Sequence, residues 1–260
     1  MPYEFIEVAQ QGHVTLVTLN RPSQLNAIAP RMHWELHEAF DAFAADPEQW
    51  VAIVTGAGER GFCAGSDLKA RADDQPVTLP PSGYAGLISR FDLDKPLIAA
   101  VNGVAAGGGF ELALACDLII ASETARFALP EPKVGLAAVG GGLHNLPRQI
   151  PLKQAMALIL TGRFVSAQEA LGFGFVNEVV APADLLAAAR RWAEEICAAS
   201  PMAVRASKQS VLRGLNEPRV EDAIARQYEH PALAAMMGSQ DAQEGPRAFA
   251  EKRPPRWTGR

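Results

Sequence analysis

Short apolar segments recur through the first 180 residues, and glycine, proline or asparagine ends most of them. β-branched residues are frequent in these segments, which is typical of strands. The predicted strands are residues 5–8, 14–19, 50–55, 96–101, 118–121 and 175–180. Because helical patterns and glycine turns separate these strands, the sequence predicts a mixed α/β fold.

A helical spacing of apolar residues begins after Pro30. The residues that fall on its apolar face are Met32, Leu36, Ala39, Phe40 and Phe43. This spacing predicts an amphipathic helix that packs on the core. We expect the helix to end at Asp46, because a proline disfavours helical backbone in the residue before it, and Pro47 follows.

Three further segments are predicted to be helical. Residues 110–116 follow a run of three glycines, and Ser166 has the spacing to Glu169 of a capping box, which begins a helix. From residue 184 onward the chain is rich in alanine and helical, with breaks before prolines. The polar, proline-containing segment 70–84 is predicted to be a surface loop.

Charge disfavours nucleic acid as a partner. The net charge of the 260 residues is −5, so the surface as a whole does not suit a polyanion. The exception is the basic run 252–256 near the C-terminus. It is either a solvated tail or a site that meets phosphates.

The cysteines and the apolar segments indicate the cellular compartment of the protein. Cys63, Cys116 and Cys197 are too widely spaced for a disulfide framework or a zinc knuckle, so a reducing compartment is expected. Residues 1–8 lack the basic and apolar regions of a secretory signal. The longest apolar stretch, 110–121, is interrupted by acidic residues and is shorter than the about 20 residues of a membrane span. We therefore expect a cytoplasmic protein with no membrane partner.

Three local patterns suggest other chemistry, and each has a simpler explanation. Residues 56–61 spell G-x-G-x-x-G, but the glycine-broken segment that follows does not open a helix, which disfavours a nicotinamide site. His33 and His37 share a helical face, but Trp34 stands where a zinc protease has glutamate, so we expect surface histidines. His144 lies beside a glycine run and has no nucleophile spaced for it.

Two turns of small residues and two glutamates form the candidate site. The turns are residues 62–68 and 107–109. Their backbone N–H groups can approach a carbonyl oxygen closely and stabilise the charge of an enolate. Glu111 lies among apolar neighbours and Glu131 lies between two prolines. Taken singly, Glu111 is either a catalytic carboxyl or a helix N-terminal charge, and Glu131 is either catalytic or an ordinary loop charge.

Several motifs, in this order, resemble the crotonase superfamily, which comprises the enoyl-CoA hydratases and isomerases. The matching segments are 20–22, 25–27, 95–103, 107–112, 116–117, 127–131, 160–162 and 251–253. The resemblance covers nearly the whole chain. It implies an α/β fold, a crotonase-like spiral of ββα units over residues 1–195. A helical C-terminal trimerisation region over residues 196–260 would follow.

The resemblance also implies which residues form the site. The N–H groups of Ala64 and Gly108 would form an oxyanion hole. Glu111 and Glu131, 20 residues apart as in hydratases, would be the catalytic acid and base. The residues expected to contact the coenzyme A (CoA) portion or the pocket are Leu25, Asn26, Ala27, Ala64, Ser66, Asp67, Leu68, Gly107, Val139, Phe249 and Lys252. Phe249 and Lys252 would reach the CoA of a neighbouring subunit, and the Val139 N–H would help to hold the reacting water.

The function implied by the resemblance is that of an enoyl-CoA hydratase, a lyase that adds water reversibly across the C2=C3 bond of a 2-enoyl-CoA thioester. Glu111 would act as the base toward water and Glu131 as the acid toward carbon. CoA belongs to the substrate, so neither a separate cofactor nor a metal is expected. The enzyme would be a homotrimer or a dimer of trimers.

Departures from the family pattern leave the acyl group open. Val139 replaces a residue that is often glycine, and His144 and Asn145 replace the more usual Gln-Arg pair. The stretch 131–136 is similar to members known as carnitinyl-CoA dehydratases. The alternatives are therefore a dehydratase of that kind, a double-bond isomerase of the same superfamily and a non-catalytic acyl-CoA-binding protein. A nicotinamide oxidoreductase is a remote further alternative.

Overall fold

The computed structural model describes residues 3–67 and 78–260. In this part of the chain, ten strands form two sheets. The strands are β1 (Ile6–Gln11), β2 (Val14–Leu19), β3 (Val51–Gly56), β4 (Gly61–Cys63), β5 (Leu97–Val101), β6 (Val104–Ala106), β7 (Leu118–Ser122), β8 (Arg126–Ala128), β9 (Val165–Ser166) and β10 (Glu178–Val180).

The larger sheet has six strands in the order β1-β2-β3-β5-β7-β10. Only β1 and β2 pair antiparallel, and the strands from β2 to β10 run parallel. Every residue of β3 and β5 is buried. This explains why their sequences are continuous apolar runs rather than alternating patterns, since both faces of the sheet are covered.

The smaller sheet has the order β4-β6-β8-β9 and positions the candidate site. Strands β4, β6 and β8 are parallel neighbours, with Cys63 opposite Ala105 and Ala106 opposite Ala128. Three parallel strands therefore end at the same edge. The residues after β4, β6 and β8 begin side by side, although they are far apart in sequence.

Helices cover both sheets. They are α1 (Pro30–Ala45), α2 (Gly108–Leu114), α3 (Gly142–Gln149), α4 (Leu152–Thr161), α5 (Ala167–Phe173), α6 (Leu185–Cys197), α7 (Pro201–Gly214), α8 (Val220–Arg226), α9 (Pro231–Met237) and α10 (Gln240–Ala250). One apolar cluster joins α1 and α2 to the sheets, and a second joins α6 to the outer face of β3, β5 and β7.

The predicted elements agree closely with the observed ones. The apolar face of α1 is buried, and α5 begins at Ser166 with the predicted capping box, in which the Ser166 and Glu169 side chains each accept a backbone N–H. The last strand is shorter than predicted: Phe175 and Val176 are buried, but the pairing with β7 begins only at Glu178. The mixed α/β fold class is confirmed, whereas the boundary at residue 195 and the trimer remain predictions.

Two expectations about the surface need correction. His33 is buried, with 3% of its surface exposed, because it packs under a turn at residues 84–86. Within the predicted loop 70–84, residues 70–77 lie outside the described part of the chain. Ser82 is buried and hydrogen-bonds to His37, so this end of the segment packs on α1 rather than extending into solvent. None of the described helices is both long and apolar enough to cross a membrane.

Candidate active site

The two turns of small residues pack against each other at the common edge of the smaller sheet. A Cβ atom added to Gly65 would lie 2.8 Å from the Ala106 carbonyl oxygen and 3.2 Å from the Gly108 nitrogen. Gly65 also has a φ of 91°, which favours glycine. A Cβ on Gly109 would overlap the Cys63 carbonyl oxygen. These glycines therefore let the turn after β4 lie directly on the N-terminus of α2.

The assignment of Ala64 to the oxyanion hole is corrected by the geometry. The Ala64 N–H donates to the Leu25 carbonyl at 3.0 Å, so it is already used inside the protein. The Ser66 and Gly108 N–H groups have no protein acceptor among residues 3–67 and 78–260. Both lie at the contact between the two turns, so Ser66, rather than Ala64, is the candidate to act with Gly108 on a substrate oxygen.

Glu111 projects from the first turn of α2 into a buried site. Its side chain is 4% exposed, and its Oε1 accepts the Gly142 N–H at 2.9 Å. Burial chiefly, and also the Glu131 carboxyl, raise the pKa of Glu111, while the N–H groups of Gly142 and Gly140 oppose the shift; the net pKa is about 7. A carboxyl with such a pKa can both take and release a proton near neutral pH.

Glu131 begins a short 3-10 turn, Glu131–Val134, directly after β8. Its Oε1 lies beside Gly107, where an added Cβ would be 2.9 Å away. Its Oε2 is buried and has no hydrogen-bond partner among the described residues. Burial raises the pKa of Glu131 above its ordinary value, which favours the protonated form. A buried carboxyl oxygen without a partner suits a proton donor that awaits a substrate.

Tyr84 also reaches this site, and the sequence analysis missed it. Its hydroxyl lies 3.2 Å from the Ser66 Oγ, and a Cβ on Gly108 would overlap the phenol. Tyr84 lies at the end of a segment that is locally polar. No local sequence pattern therefore identified Tyr84 as a site residue. The available signal was an aromatic residue between Gly83 and Gly86 in an otherwise polar stretch.

The predicted CoA-contacting segment 25–27 lies beside the turn after β4. The Asn26 side chain is fully buried and bonds to the backbone of Arg21, Ala57 and Gly61, so it holds the segment rather than facing a ligand. Arg21 pairs with Asp67 at 3.0 Å and donates to the Ala27 carbonyl at 2.6 Å. Leu68 lies outside the described residues.

The remaining predicted residues are distributed around the site. The Gly107 N–H donates to the Ala128 carbonyl, which fixes the start of α2. The Val139 N–H donates to the Ala137 carbonyl at 2.8 Å, so the predicted role of this N–H in holding water is wrong for this conformation. The Val139 side chain is 83% exposed. Phe249 and Lys252 are exposed at the end of α10, and their contact with CoA stays a prediction.

Other features of the sequence take structural roles. The G-x-G-x-x-G segment links β3 to β4, so it does not open a helix as a dinucleotide site requires. His144 is exposed on α3. His33 accepts the Ala85 N–H through Nδ1 at 2.9 Å, and burial lowers its pKa to about 4, which keeps the ring neutral.

Comparisons with known proteins show the family to which the chain belongs. A family model described as enoyl-CoA hydratase/isomerase matches residues 9–260. A protein of Salmonella typhi named carnitinyl-CoA dehydratase is 44% identical, over 99% of each chain. The crystal structure of an enoyl-CoA hydratase from Mycobacterium tuberculosis superposes with a TM-score of 0.91 at 42% identity, over 98% of this chain and 99% of the other. That of a carnitinyl-CoA hydratase from Mycobacterium avium gives 0.79 at 42% identity, over 100% of both chains. These relatives are hydratases or dehydratases by name, which supports an activity of the hydratase or dehydratase type. The chain belongs to the enoyl-CoA hydratase/isomerase family of the crotonase superfamily.

Proposed function

We propose that this protein is an enoyl-CoA hydratase that reversibly adds water across the C2=C3 double bond of a 2-enoyl-CoA thioester. The observation that carries the proposal is the pairing of the buried Glu111 with the half-buried Glu131, whose Oε2 is buried, and the pKa values of both carboxyls are raised. Glu131 lies against Gly107, next to the Gly108 N–H, and the Ser66 and Gly108 N–H groups have no protein acceptor among residues 3–67 and 78–260. This combination suits proton transfer next to a carbonyl whose oxygen becomes negative.

In the proposed reaction, the thioester oxygen accepts hydrogen bonds from the Ser66 and Gly108 N–H groups. The Gly108 N–H is at the N-terminus of α2, where the helix dipole favours negative charge. Each preorganised donor in such a site is worth about 3 kcal/mol of barrier. The charge that forms on the oxygen as C3 is attacked is therefore stabilised without any reorganisation of the protein.

The two glutamates divide the proton transfers. Ionised Glu111 takes a proton from water as the water oxygen bonds to C3, and protonated Glu131 delivers a proton to C2. Two N–H groups directed at Glu111 favour its ionised form, whereas the unpartnered Oε2 of Glu131 favours a protonated one. A proton then passes from Glu111 back to Glu131 and resets the pair. The two carboxyls titrate together, so each apparent pKa belongs to the pair.

A carnitinyl thioester is a second candidate substrate. The observation in its favour is the 44% identity, across 99% of the chain, to proteins named carnitinyl-CoA dehydratase. The same groups would then remove water from a 3-hydroxyacyl thioester, since the reaction is reversible. CoA would be part of either substrate, and the proposed chemistry uses no metal and no separate cofactor.

A trimer, or a dimer of trimers, is the proposed assembly. The C-terminal helices expose large apolar side chains, which are expected to be covered in an oligomer. Among them are Leu215, Val220, Ile224 and Met237, each at least 58% exposed. In such an assembly Phe249 and Lys252 would meet the CoA of a neighbouring subunit. The protein is also proposed to act in the cytoplasm, where acyl-CoA thioesters are available.

The test follows the loss of the enoyl thioester absorbance with crotonyl-CoA. We expect the wild type to consume the band, and Glu111→Gln and Glu131→Gln to lose several orders of magnitude in kcat while still binding CoA. Glu123→Gln, at an exposed glutamate after β7, is the matched control. Product analysis separates hydration, which gives a 3-hydroxyacyl-CoA, from isomerisation, which gives a 3-enoyl-CoA. Near-full hydratase activity of Glu131→Gln would exclude this scheme.

A further inference from the structure

The hydroxyl of Tyr84 lies between the two residues whose N–H groups are available to a substrate oxygen. On one side it accepts a hydrogen bond from the Ser66 Oγ at 3.2 Å. On the other side the phenol lies so close to Gly108 that a Cβ on this glycine would overlap it. Tyr84 therefore touches both halves of the candidate oxyanion hole.

The backbone around Tyr84 is held in an unusual conformation. Gly83, Ala85 and Gly86 all have positive φ angles, of 77°, 52° and 64°. For Ala85 this left-handed conformation is unfavourable by about 1 kcal/mol, and such strain persists where the surroundings hold the residue in place. The backbone conformation of this turn therefore fixes the position of the Tyr84 side chain.

Helix α1 supplies the surroundings that hold this turn. The Ala85 N–H donates to the buried Nδ1 of His33 at 2.9 Å. The His33 and Tyr84 rings pack edge to face, with their centroids 4.7 Å apart. Gly86 lies directly on the backbone of α1, where a Cβ would overlap the His37 nitrogen. Rigid placement of this kind reduces the reorganisation that a catalytic hydrogen bond would otherwise require.

The proton of the Tyr84 hydroxyl is available for a ligand. Because the Ser66 hydroxyl donates to the phenol oxygen, the phenol proton needs another acceptor, and none lies among residues 3–67 and 78–260. Burial first, then the Cys63 thiol and the carboxyls of Glu111 and Glu131, raise the pKa of Tyr84 well above its ordinary value, although the hydrogen bond from Ser66 opposes the shift. The group therefore stays an uncharged O–H donor throughout the working range of pH.

We propose that the Tyr84 hydroxyl is a third hydrogen-bond donor to the thioester oxygen, together with the Ser66 and Gly108 N–H groups, and that it stabilises the enolate. This inference rests on the proposed enolate chemistry and adds to it a side-chain donor. The negative charge on the oxygen grows as C3 is attacked, so the hydrogen bond strengthens in the transition state. Its loss is expected to lower kcat by about 10²-fold, with a smaller change in KM.

The direct test uses acetoacetyl-CoA, a thioester that exchanges between a keto form and an enolate with its own near-ultraviolet band. At neutral pH the ligand is mostly in the keto form in solution, and an oxyanion hole shifts the bound ligand toward the enolate. Because a hydrogen bond to a charged group is worth about tenfold or more in an equilibrium, Tyr84→Phe is expected to lower the bound enolate-to-keto ratio by at least about tenfold. Tyr228→Phe, at a 69% exposed tyrosine remote in sequence, is the control and should leave the ratio unchanged.

The ratio is measured on folded, ligand-bound protein, so it stays informative even if the substitution reduces the amount of folded material. A Tyr84→Phe protein with the wild-type ratio and the wild-type kcat on crotonyl-CoA would overturn the inference. A faster Tyr84→Phe enzyme would overturn it as well, because Tyr84 would then obstruct the site rather than donate to the substrate. A wild type that stabilises the enolate but never hydrates crotonyl-CoA would instead contradict the proposed function and leave the role of Tyr84 intact.

Discussion

The backbone N–H of Gly142 donates a 2.9 Å hydrogen bond to the Oε1 of Glu111. Gly142 is the first residue of α3, so the positive end of this helix dipole faces the carboxyl. This interaction favours the ionised form, whereas burial among apolar residues favours the protonated form. Burial is the larger effect, and it raises the pKa of Glu111 to about 7. The hydrogen bond therefore limits a shift that would otherwise keep the proposed base protonated.

The first prediction concerns the pH dependence of hydration. Because Glu111 must be ionised to accept a proton from water and Glu131 must be protonated to deliver one, kcat/KM should rise as pH increases through about 7 and fall again at the higher pH at which Glu131 loses its proton. The profile is measured with crotonyl-CoA between acidic and mildly alkaline pH, in buffers of constant ionic strength. An acid limb near the ordinary value for glutamate would show that burial does not shift the proposed base.

The second prediction concerns stability. The folded protein holds the Glu111 proton up to about pH 7, but the unfolded chain releases it near 4.5. The folded state therefore binds more protons between these values, and this group makes the free energy of unfolding fall as pH rises through the window. Glu111→Gln removes the cost of holding a buried ionised carboxyl. The variant should therefore be more stable than the wild type at pH 8, by on the order of 2 kcal/mol.

This stability difference is measured by urea unfolding of both proteins at pH 5 and pH 8. At pH 5 the carboxyl is largely protonated in the folded state, so the two proteins should differ much less. A difference that is equal at both pH values would contradict the burial effect, because it would then not depend on ionisation. A more stable but inactive variant is typical of a residue that is retained for chemistry.

Much of the fold was predictable because local patterns and the tertiary structure agree. The continuous apolar runs of β3 and β5 are buried on both faces, and the Ser166 capping box begins α5 as predicted. Glu111 and Glu131 were predicted as a pair only through the resemblance to the crotonase superfamily, because each glutamate taken singly had two interpretations. The parallel strands β6 and β8 end at the same edge, so these two residues of distant segments meet at one site.

The oxyanion hole and Tyr84 could not be assigned from local patterns. Whether an N–H is free depends on its partner across the fold, and the Leu25 carbonyl takes the Ala64 N–H while leaving that of Ser66. Tyr84 lies in a segment whose composition is that of a loop. It packs inward because the buried His33 of α1 accepts the N–H of its neighbour Ala85. Both facts are tertiary contacts that a single sequence does not reveal.

The third prediction concerns the space around the proposed base. A Cβ on Gly140 would lie 2.5 Å from the Oε2 of Glu111, so Gly140→Ala should displace the carboxyl and lower kcat by at least about tenfold. The fold should survive, since the clash is with the end of a side chain. Gly172→Ala is the matched control, because among the described residues no atom beyond its chain neighbours and the backbone of its own helix lies within 4 Å of the added Cβ.

In this control, alanine replaces glycine at an exposed position within α5, so the helix should gain up to about 1 kcal/mol of stability with unchanged kinetics. Both variants are compared by initial rates with crotonyl-CoA and by thermal unfolding. If Gly140→Ala retained the wild-type kcat, the position of Glu111 beside this glycine would not matter for the reaction.

The last prediction concerns Asn26, which is expected to support the site without touching the reacting atoms. Its buried side chain accepts the Arg21 N–H at 2.9 Å and donates to the carbonyls of Ala57 at 3.0 Å and Gly61 at 2.7 Å. Its φ of 56° is one that asparagine tolerates better than most residues. Asn26→Ala removes all three bonds; the Gly61 carbonyl keeps the Asn102 Nδ2 as a donor at 3.1 Å, but the Arg21 N–H and the Ala57 carbonyl lose this partner. The free energy of unfolding should fall by about 3 kcal/mol.

Activity should fall as well, because Gly61 begins β4 and the neighbouring Leu25 carbonyl holds the Ala64 N–H in the turn that leads to Ser66. Unfolding in urea and kcat/KM measured well below the melting temperature separate the two effects. Asn216→Ala is the control, since its side chain makes a single exposed bond to the Leu212 carbonyl at 3.3 Å and should change stability by less than about 0.5 kcal/mol. If Asn26→Ala were as stable as this control, the segment 25–27 would be held by its backbone alone.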